Sequence, residues 1–280
     1  MSSAGTSGII DLQGGVVYDS LDIALVPFTQ LCGLVWIDKN VNGIRDPGEE
    51  LIKNVVVALF DDKTKQQLKI TLTDGNGKYI FPKLKTGSYY IKVTPPTNSK
   101  FTLPNVGSDL TDSDIDQSNG ICTSTSLDLK TGPTPGTLDA GIYYCSSITG
   151  IVWNDVNSNH VFNLGEKGIN GLNVQLFNAL NNQLVASTIT GPKPGTPSDD
   201  GYYIFDCITP GRYFVKFWRP VNYYFGQAYK TSNPLYDSDV TKAFGTGTTD
   251  ALNLAQGTII VGINAALSRN PGGGLSLIHI

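Results

Sequence analysis

Apolar and β-branched residues occur along the chain in short runs that polar turn residues separate. The segments KYIFPKL and SYYIKVTP alternate or run apolar, and DGNG, TG and PP bound them. NVVVALFDD and NVQLFNAL have the same character, and each follows a polar loop. About seven such strands in roughly 110 residues are typical of a β-sandwich. The pattern therefore predicts an all-β chain.

The pattern occurs twice. GLVWIDKNVNGIRDPGE at 33–49 recurs as GIVWNDVNSNHVFNLGE at 150–166, and GKYIFPKLKTGSYYIKV at 77–93 recurs as GYYIFDCITPGRYFVKF at 201–217. LTDSD likewise recurs as LYDSD. The order is kept while the offset drifts, so each copy predicts one domain. The second copy is longer, and GPKPGTPSDD is its predicted insertion.

The apolar segment LDIAL at 21–25 precedes Trp36 by the same number of residues as LDAGI at 138–142 precedes Trp153. We therefore interpret residues 1–30 as the last strand of a preceding repeat plus a linker. A coincidental apolar stretch is the alternative.

The segment WIDKNVNGIRDPGEE carries oxygen-bearing side chains at the spacing of a calcium-binding loop, D-x-[DN]-x-[DN]-G-x₅-E. Alternate side chains point inward to one hard cation, and glycine at position 6 permits a sharp turn. A polar turn without metal is the alternative. The flanks CGLVWI and VVVALF predict strands rather than the helices of an EF-hand. The predicted ligands are Asp38, Asn40, Asn42, the carbonyl of Ile44, Asp46 and Glu49.

Composition and charge exclude several functions. A net charge of −4 leaves no basic stripe for phosphates, which argues against nucleic acid as a partner. No apolar run approaches the ~18 residues of a membrane span, and the first residues lack the features of a signal peptide. The two histidines, His160 and His279, lie in no arrangement typical of nucleophilic catalysis, so we predict no enzymatic activity.

The four cysteines lack the CxxC spacing and the nearby histidines of a zinc site. Their spacing is consistent with two disulfides and equally with four buried thiols. The cysteines are Cys32, Cys122, Cys145 and Cys207.

The motif G-x-V-W-x-D-x-N-x-N-G-x-x-D-x-G-E, followed by G-x-Y-x-F, D-S-D and L-D-A-G, resembles the SdrD B-like repeat, which is related to the collagen-adhesin B-type domains of bacterial surface proteins. The resemblance covers residues 32–144 and 148–268. It implies two tandem immunoglobulin-like or prealbumin-like β-sandwiches, strung as calcium-stiffened stalks, and no catalysis. The tail at 269–280 fits no domain pattern, and we expect it to be disordered and non-native.

The resemblance also implies further Ca²⁺ ligands. In the second copy they are Asp155, Asn157, Asn159, the carbonyl of Val161, Asn163 and Glu166. Further acidic clusters of the family correspond to Asp112, Asp114 and Asp116 in the first copy and to Asp237 and Asp239 in the second. A solvated acidic loop is the alternative for these clusters.

The second copy departs from the calcium-loop pattern. His160 replaces glycine at position 6, where positive φ costs a non-glycine residue about 1 kcal/mol. Asn163 replaces aspartate at position 9, which removes one carboxylate. We therefore expect weaker calcium binding in the second copy, and equal affinities in separated domains would contradict this expectation.

Related B-type domains often carry a lysine-to-asparagine cross-link. Neither CGLVWID nor TGIVWND contains a lysine before its calcium loop, so we predict no such cross-link. An intact mass lower by one ammonia or one water, with the cysteines blocked, would contradict this prediction.

Recurring aromatic residues are expected in the core: Trp36, Trp153, Tyr79, Phe81, Tyr203 and Phe205. The segment WRPVNYYFGQAY at 218–229 is found only in the second copy, and it is expected either to bind a glycan or protein ligand or to cover one end of the sandwich.

The leading prediction is a monomeric structural spacer whose stability depends on calcium. Its location is extracellular, at the cell surface or secreted, and its partners are neighbouring repeats. The short joints FTQ at 28–30 and SSI at 146–148 are typical of a semi-rigid rod.

Overall fold

The computed structural model describes residues 28–130, 136–196 and 200–269. Four sheets form two sandwiches, one for each sequence repeat, and the all-β prediction is confirmed. These ranges contain no helix, and hence none long and apolar enough to cross a membrane.

Two predictions concern segments outside the described residues. One is the interpretation of LDIAL as a strand of a preceding repeat, and the other is the disordered tail.

The first sandwich combines a sheet in the order β4-β1-β9-β6, in which β8 also pairs with β1, with a sheet in the order β3-β2-β5-β7. Strand β1 runs antiparallel to β4 and parallel to β9. The strands are β1 (Thr29–Ile37), β2 (Val56–Asp61), β3 (Gln67–Leu72), β4 (Lys78–Leu84), β5 (Gly87–Thr94), β6 (Ser99–Phe101), β7 (Leu127–Leu129), β8 (Gly136–Thr137) and β9 (Ala140–Tyr144).

The second sandwich repeats this topology, with sheets in the orders β13-β10-β18-β15 and β12-β11-β14-β16 and with β17 paired to β10. Val152 of β10 lies opposite Ala265 of β18, as Val35 lies opposite Ala140 in the first copy. The strands are β10 (Ser146–Asn154), β11 (Asn173–Asn178), β12 (Leu184–Ile189), β13 (Tyr202–Ile208), β14 (Gly211–Phe217), β15 (Tyr223–Phe225), β16 (Leu252–Leu254), β17 (Ile259–Ile260) and β18 (Ala265–Arg269).

Each core lies between its two sheets, where alternate residues of the strands point inward. In β4, Tyr79, Phe81 and Leu84 are buried while their neighbours are exposed. Trp36 and Trp153 are both completely buried. All six recurring aromatic residues are buried, and Tyr79, Phe81, Tyr203 and Phe205 lie in the cores as predicted. The core prediction is wrong in detail for the two tryptophans: Trp36 and Trp153 follow the core residues Val35 and Val152, so they point to the opposite face of their strands.

The joint between the sandwiches is shorter than expected. Residues 146–148, predicted to be a linker, are the first residues of β10, and two of the residues at 28–30 belong to β1. Strand β9 ends at Tyr144 and β10 begins at Ser146, so Cys145 alone connects the two. The backbone of β10 is paired with β13 from Ser146 onward, four residues before the motif GIVWNDVNSNHVFNLGE begins. The pattern of side chains alone therefore placed the start of this strand too late.

The cysteines follow neither of the two alternatives in full. Cys145 and Cys207 form a disulfide. Cys32 is a buried thiol, and Cys122 is a half-buried thiol.

Candidate functional site

The first predicted calcium loop begins where β1 ends, and its first carboxylate is completely buried. Oδ2 of Asp38 accepts hydrogen bonds from the backbone N–H of Gly43 (2.7 Å) and from Oγ1 of Thr102 (2.6 Å). Gly43 has a φ of +85°, and a Cβ at this position would meet the carbonyl oxygen of Leu103 at 2.6 Å. Glycine is therefore required at position 6 by both backbone conformation and space.

The other side chains of this loop close it on itself. Asn40 and Asn42 donate amide hydrogen bonds to Oδ2 of Asp46 at 2.8 and 2.9 Å. Glu49 accepts hydrogen bonds from the backbone N–H groups of Lys39 (2.7 Å) and Asp46 (3.0 Å). Oδ1 of Asn40 and Oδ1 of Asn42 accept hydrogen bonds from the backbone N–H groups of Asn42 (3.1 Å) and Ile44 (2.8 Å). Turning either amide to exchange its nitrogen and oxygen would break that bond.

The second loop has the same arrangement around Asp155, which is 1% exposed. Its Oδ2 accepts hydrogen bonds from the backbone N–H of His160 and from Oγ of Ser268, both at 3.0 Å. One contact differs from the first loop: Nδ1 of the His160 ring lies 3.1 Å from the same oxygen. His160 has a φ of +67°, so the loop keeps the conformation of the glycine it replaces. Oδ1 of Asp155 is buried and has no hydrogen-bond partner within the described residues.

The rest of the second loop also matches the first. Asn157 and Asn159 donate to Oδ1 of Asn163 at 2.8 and 2.7 Å. Glu166 accepts from the backbone N–H groups of Val156 (3.0 Å) and Asn163 (2.9 Å). Asn163 provides a neutral amide where the first loop has a carboxylate, so this loop carries less negative charge.

Each acidic cluster lies directly against its loop. Asp112 forms a β-bridge with Ile44 and Asp237 forms one with Val161, the two residues at position 7. Both aspartates are buried, at 3% and 2% exposure, and Oδ1 of each has no partner in the described part of the chain. Asp116 instead makes a local turn, in which it accepts hydrogen bonds from the serine two residues later.

A second pair of side chains joins each cluster to the first strand of its sandwich. Oδ2 of Asp114 accepts a hydrogen bond from the backbone N–H of Asp139 (2.5 Å), and Oδ2 of Asp239 accepts one from Asn264 (2.7 Å). The side-chain oxygens of Asp139 and Asn264 accept in turn from backbone N–H groups of β1 and β10. Asp114 and Asp239 thus fix the backbone just before the last strand of each sandwich, with or without a bound cation.

Sequence reasoning missed four of these polar partners. Asp139 lies in the segment LDAGI at 138–142, and Asn264 lies in INAAL at 263–267, which closes the second copy in the same way. The repeat therefore contained a signal for both residues. Thr102 and Ser268 have no motif of their own, and only the fold brings them to Asp38 and Asp155.

Burial changes the acidity of these clusters. It raises the pKa of Asp114 to about 7 and that of Asp239 to about 7. It also raises the pKa of Asp139 to about 6. In each case desolvation of the charged form is the main cause, and neighbouring carboxylates add to it.

The second repeat should be more stable near pH 5 than near pH 8 in calcium-free buffer, by of order 2 kcal/mol. The folded pKa of Asp239, about 7, exceeds its ordinary value of 3.8, so its contribution is fully present below about pH 4 and is lost as the pH rises through 7. Asp239→Asn keeps the acceptor oxygen and should remove this pH dependence from the thermal unfolding of the second repeat. Asp128→Asn, at an exposed carboxylate, is the control. A pH profile unchanged by Asp239→Asn would contradict this prediction.

No group of three or more His, Cys, Asp or Glu side chains converges on a possible metal position within the described ranges. The predicted loops rely in addition on asparagine amides and main-chain carbonyls, which are ordinary Ca²⁺ ligands. The residues that could hold a cation are therefore those already named in each loop, with the buried aspartate of its adjacent cluster.

The aromatic segment at 218–229 does not present one uniform surface. Nε1 of Trp218 donates to Gln175 (2.9 Å), and Lys216 lies over its ring. Oη of Tyr224 donates to Ser158 (3.1 Å). The polar atoms of these rings are thus engaged by partners within the repeat.

Comparison with known proteins places these features in a family. The model of the SdrD B-like domain matches residues 29–142 and 146–267. Serine-aspartate repeat-containing protein F of Staphylococcus epidermidis is 34% identical over 196 residues, which are 69% of this chain and 11% of that protein. Serine-aspartate repeat-containing protein D of Staphylococcus aureus is 33% identical over 228 residues, which are 78% of this chain and 16% of that protein.

Solved structures of low identity also align with the chain. The minor pilin GBS52 of Streptococcus agalactiae aligns over 88% of this chain and 98% of its own, with 13% identity and a TM-score of 0.33. A TM-score this low carries no argument about the chain. The match of the family model to both repeats carries the assignment: the chain belongs to the SdrD B-like domain family and contains two copies of that domain.

Proposed function

We propose that the two repeats form a calcium-binding structural spacer in an extracellular or cell-surface protein. Three buried carboxylate oxygens carry the proposal, because each lies at or against a predicted calcium loop and has no partner in the described residues: Oδ1 of Asp112, Asp155 and Asp237. A buried acceptor without a partner destabilises the folded state, and a bound cation would remove that penalty.

The chemistry of the donors favours Ca²⁺. Carboxylates, amide oxygens and main-chain carbonyls are hard ligands, and no cysteine or second histidine lies in either loop. In the first loop Asp38, Asp46 and Glu49 would supply the negative charge, with Asn40, Asn42 and the carbonyl of Ile44 as neutral donors. Bound calcium would hold the loop against the end of the sandwich.

The role as a spacer follows from the family and from the repeated architecture. The relatives are long proteins of which the chain spans 11 to 16%, so these domains form a small part of such a protein. The pair Cys145–Cys207 favours an oxidising, extracellular setting. A bound cation would account for the three carboxylate oxygens that lack a partner in the described residues, and we propose no catalytic role.

Thermal unfolding of the whole chain in millimolar calcium and in EDTA tests the proposal. Ions that bind only the folded state stabilise it by RT ln(1 + [Ca²⁺]/Kd), about 2.7 kcal/mol at a hundredfold excess. We expect the midpoint of the first repeat to rise by about 10 °C with calcium. Glu49→Gln keeps the shape of the side chain and removes its charge, so it should abolish most of this rise.

Two further variants sharpen this test. Glu50→Gln changes an exposed neighbouring carboxylate and should leave the calcium effect intact. His160→Gly restores glycine at position 6 and should strengthen calcium binding by the second repeat, as measured by calorimetric titration. Identical melting curves in calcium and EDTA would refute calcium binding and leave both loops as polar turns.

A further inference from the structure

The connection between the two repeats consists of one residue. Strand β9 of the first sandwich ends at Tyr144 and strand β10 of the second begins at Ser146. Cys145, between them, is only 3% exposed. A single residue has two soft backbone torsions, so bonds to Cys145 restrict the orientation of the two sandwiches directly.

Cys145 is bound from both sides. Its backbone N–H donates to the carbonyl oxygen of Asn98 (2.8 Å), and Nδ2 of Asn98 donates to the carbonyl oxygen of Cys145 (3.2 Å). Asn98 lies in the first repeat, just before β6. The sulfur of Cys145 is bonded to Cys207 in β13 of the second repeat. The backbone of Cys145 is therefore bound to the first repeat, and its side chain is bound to the second.

Further contacts surround this joint. Nε2 of Gln256, between β16 and β17, donates to the carbonyl oxygen of Asp38 at 2.9 Å and so joins the second repeat to the start of the first calcium loop. Tyr143 of β9 is 7% exposed, and burial together with nearby Tyr213 of β14 raises its pKa. The repeats therefore meet through side chains of both sandwiches as well as through the chain.

The covalent bond is specific to this joint. By the pairing of β1 and β10 with their neighbours, Phe28 and Lys83 of the first repeat occupy the positions of Cys145 and Cys207. Lys83 and Cys207 share a positive φ of 56° and 51°, so both repeats have the same local backbone here. The second repeat differs in its two side chains, which add a cross-link at a register shift that both repeats share.

We infer that Cys145, its disulfide to Cys207 and the contact between Gln256 and Asp38 form an inter-repeat interface that holds the two sandwiches in one orientation. Each repeat is thus the binding partner of the other at this interface. The disulfide keeps this orientation with or without a cation in the loops, so the inference does not rest on the proposed function.

Residual dipolar couplings of the isotopically labelled whole chain in EDTA test the inference. A phosphine reductant transfers two electrons to the disulfide, which becomes two thiols, while one water molecule supplies the oxygen of the phosphine oxide and the two thiol protons. For the oxidised chain we expect one alignment tensor to fit the amide couplings of both repeats. After reduction, or in the double variant Cys145→Ser/Cys207→Ser, two tensors of different magnitude should be needed. Cys122→Ser changes a thiol away from the joint and should behave as the unaltered chain.

Peptide mapping of the unreduced protein accompanies this measurement. Free thiols at Cys145 and Cys207 in protein prepared under oxidising conditions would overturn the inference. A single shared tensor after reduction would also overturn it, since the disulfide would then have no part in the orientation. Retained chemical-shift dispersion in each repeat shows that a second tensor reflects motion at the joint rather than unfolding. Because calcium is absent throughout, a failed calcium titration leaves this result unaffected.

Discussion

Gly33→Ala and Gly150→Ala should each destabilise their repeat by about 3 kcal/mol or more. A Cβ at Gly33 would overlap the carbonyl oxygen of Leu138, and one at Gly150 would overlap that of Ile263. These are main-chain atoms in the segment just before the last strand, so no side-chain rotation relieves the overlap. The same carbonyl of Leu138 accepts the hydroxyl of Tyr79 at 2.5 Å, which holds it in place.

Urea unfolding of the whole chain measures this effect repeat by repeat. The controls are Gly75→Ala in the first repeat and Gly191→Ala in the second, where an added Cβ meets no atom within 4 Å. We expect the midpoint of the altered repeat alone to fall, with the control variants close to the unaltered chain. Equal midpoints for Gly33→Ala and Gly75→Ala would show that the last strand moves aside at little cost.

Trp36→Ala should destabilise the first repeat by about 3–5 kcal/mol, and Trp153→Ala should do the same in the second. Both side chains are fully buried on the face of their strand opposite the core between the sheets, and alanine would leave a cavity there. The ring of Trp36 lies over Gly141 of β9, and that of Trp153 packs edge-on against Phe162. The two substitutions should therefore act on separate unfolding transitions.

The third tryptophan provides the control. Trp218 is 51% exposed, so Trp218→Ala should cost about 1 kcal/mol, for its hydrogen bond to Gln175 and its contact with Lys216. Trp36→Phe should cost less than Trp36→Ala, because it keeps an aromatic ring and removes an indole N–H that has no partner in the described residues. A Trp36→Ala variant as stable as Trp218→Ala would contradict the prediction that burial of Trp36 stabilises the first repeat.

The local features of this chain could be predicted because their signals are local. Alternation in KYIFPKL identified Tyr79 and Phe81 as core residues, since a strand turns successive side chains to opposite faces. The spacing of Asp38, Gly43 and Glu49 predicted one folded loop, and their hydrogen bonds do close it. Whether these loops bind calcium stays a prediction.

The position of the joint could not be predicted in the same way. Residues 146–148 are polar enough to suggest a linker, but pairing with β13 makes them part of β10. That pairing joins residues about 60 positions apart, and periodicity within a short window contains no information on it.

By itself the sequence determined that this protein is a tandem pair of β-sandwiches, which of its recurring aromatic residues are buried, and which side chains share each loop, because repeats and periods of two are visible within the chain. Only the tertiary structure decided which distant groups meet: Thr102 with Asp38, Asp139 with Asp114, and Cys207 with Cys145. Contacts of this kind depend on how the sheets pack against one another, and packing brings together residues whose separation along the chain follows no local rule.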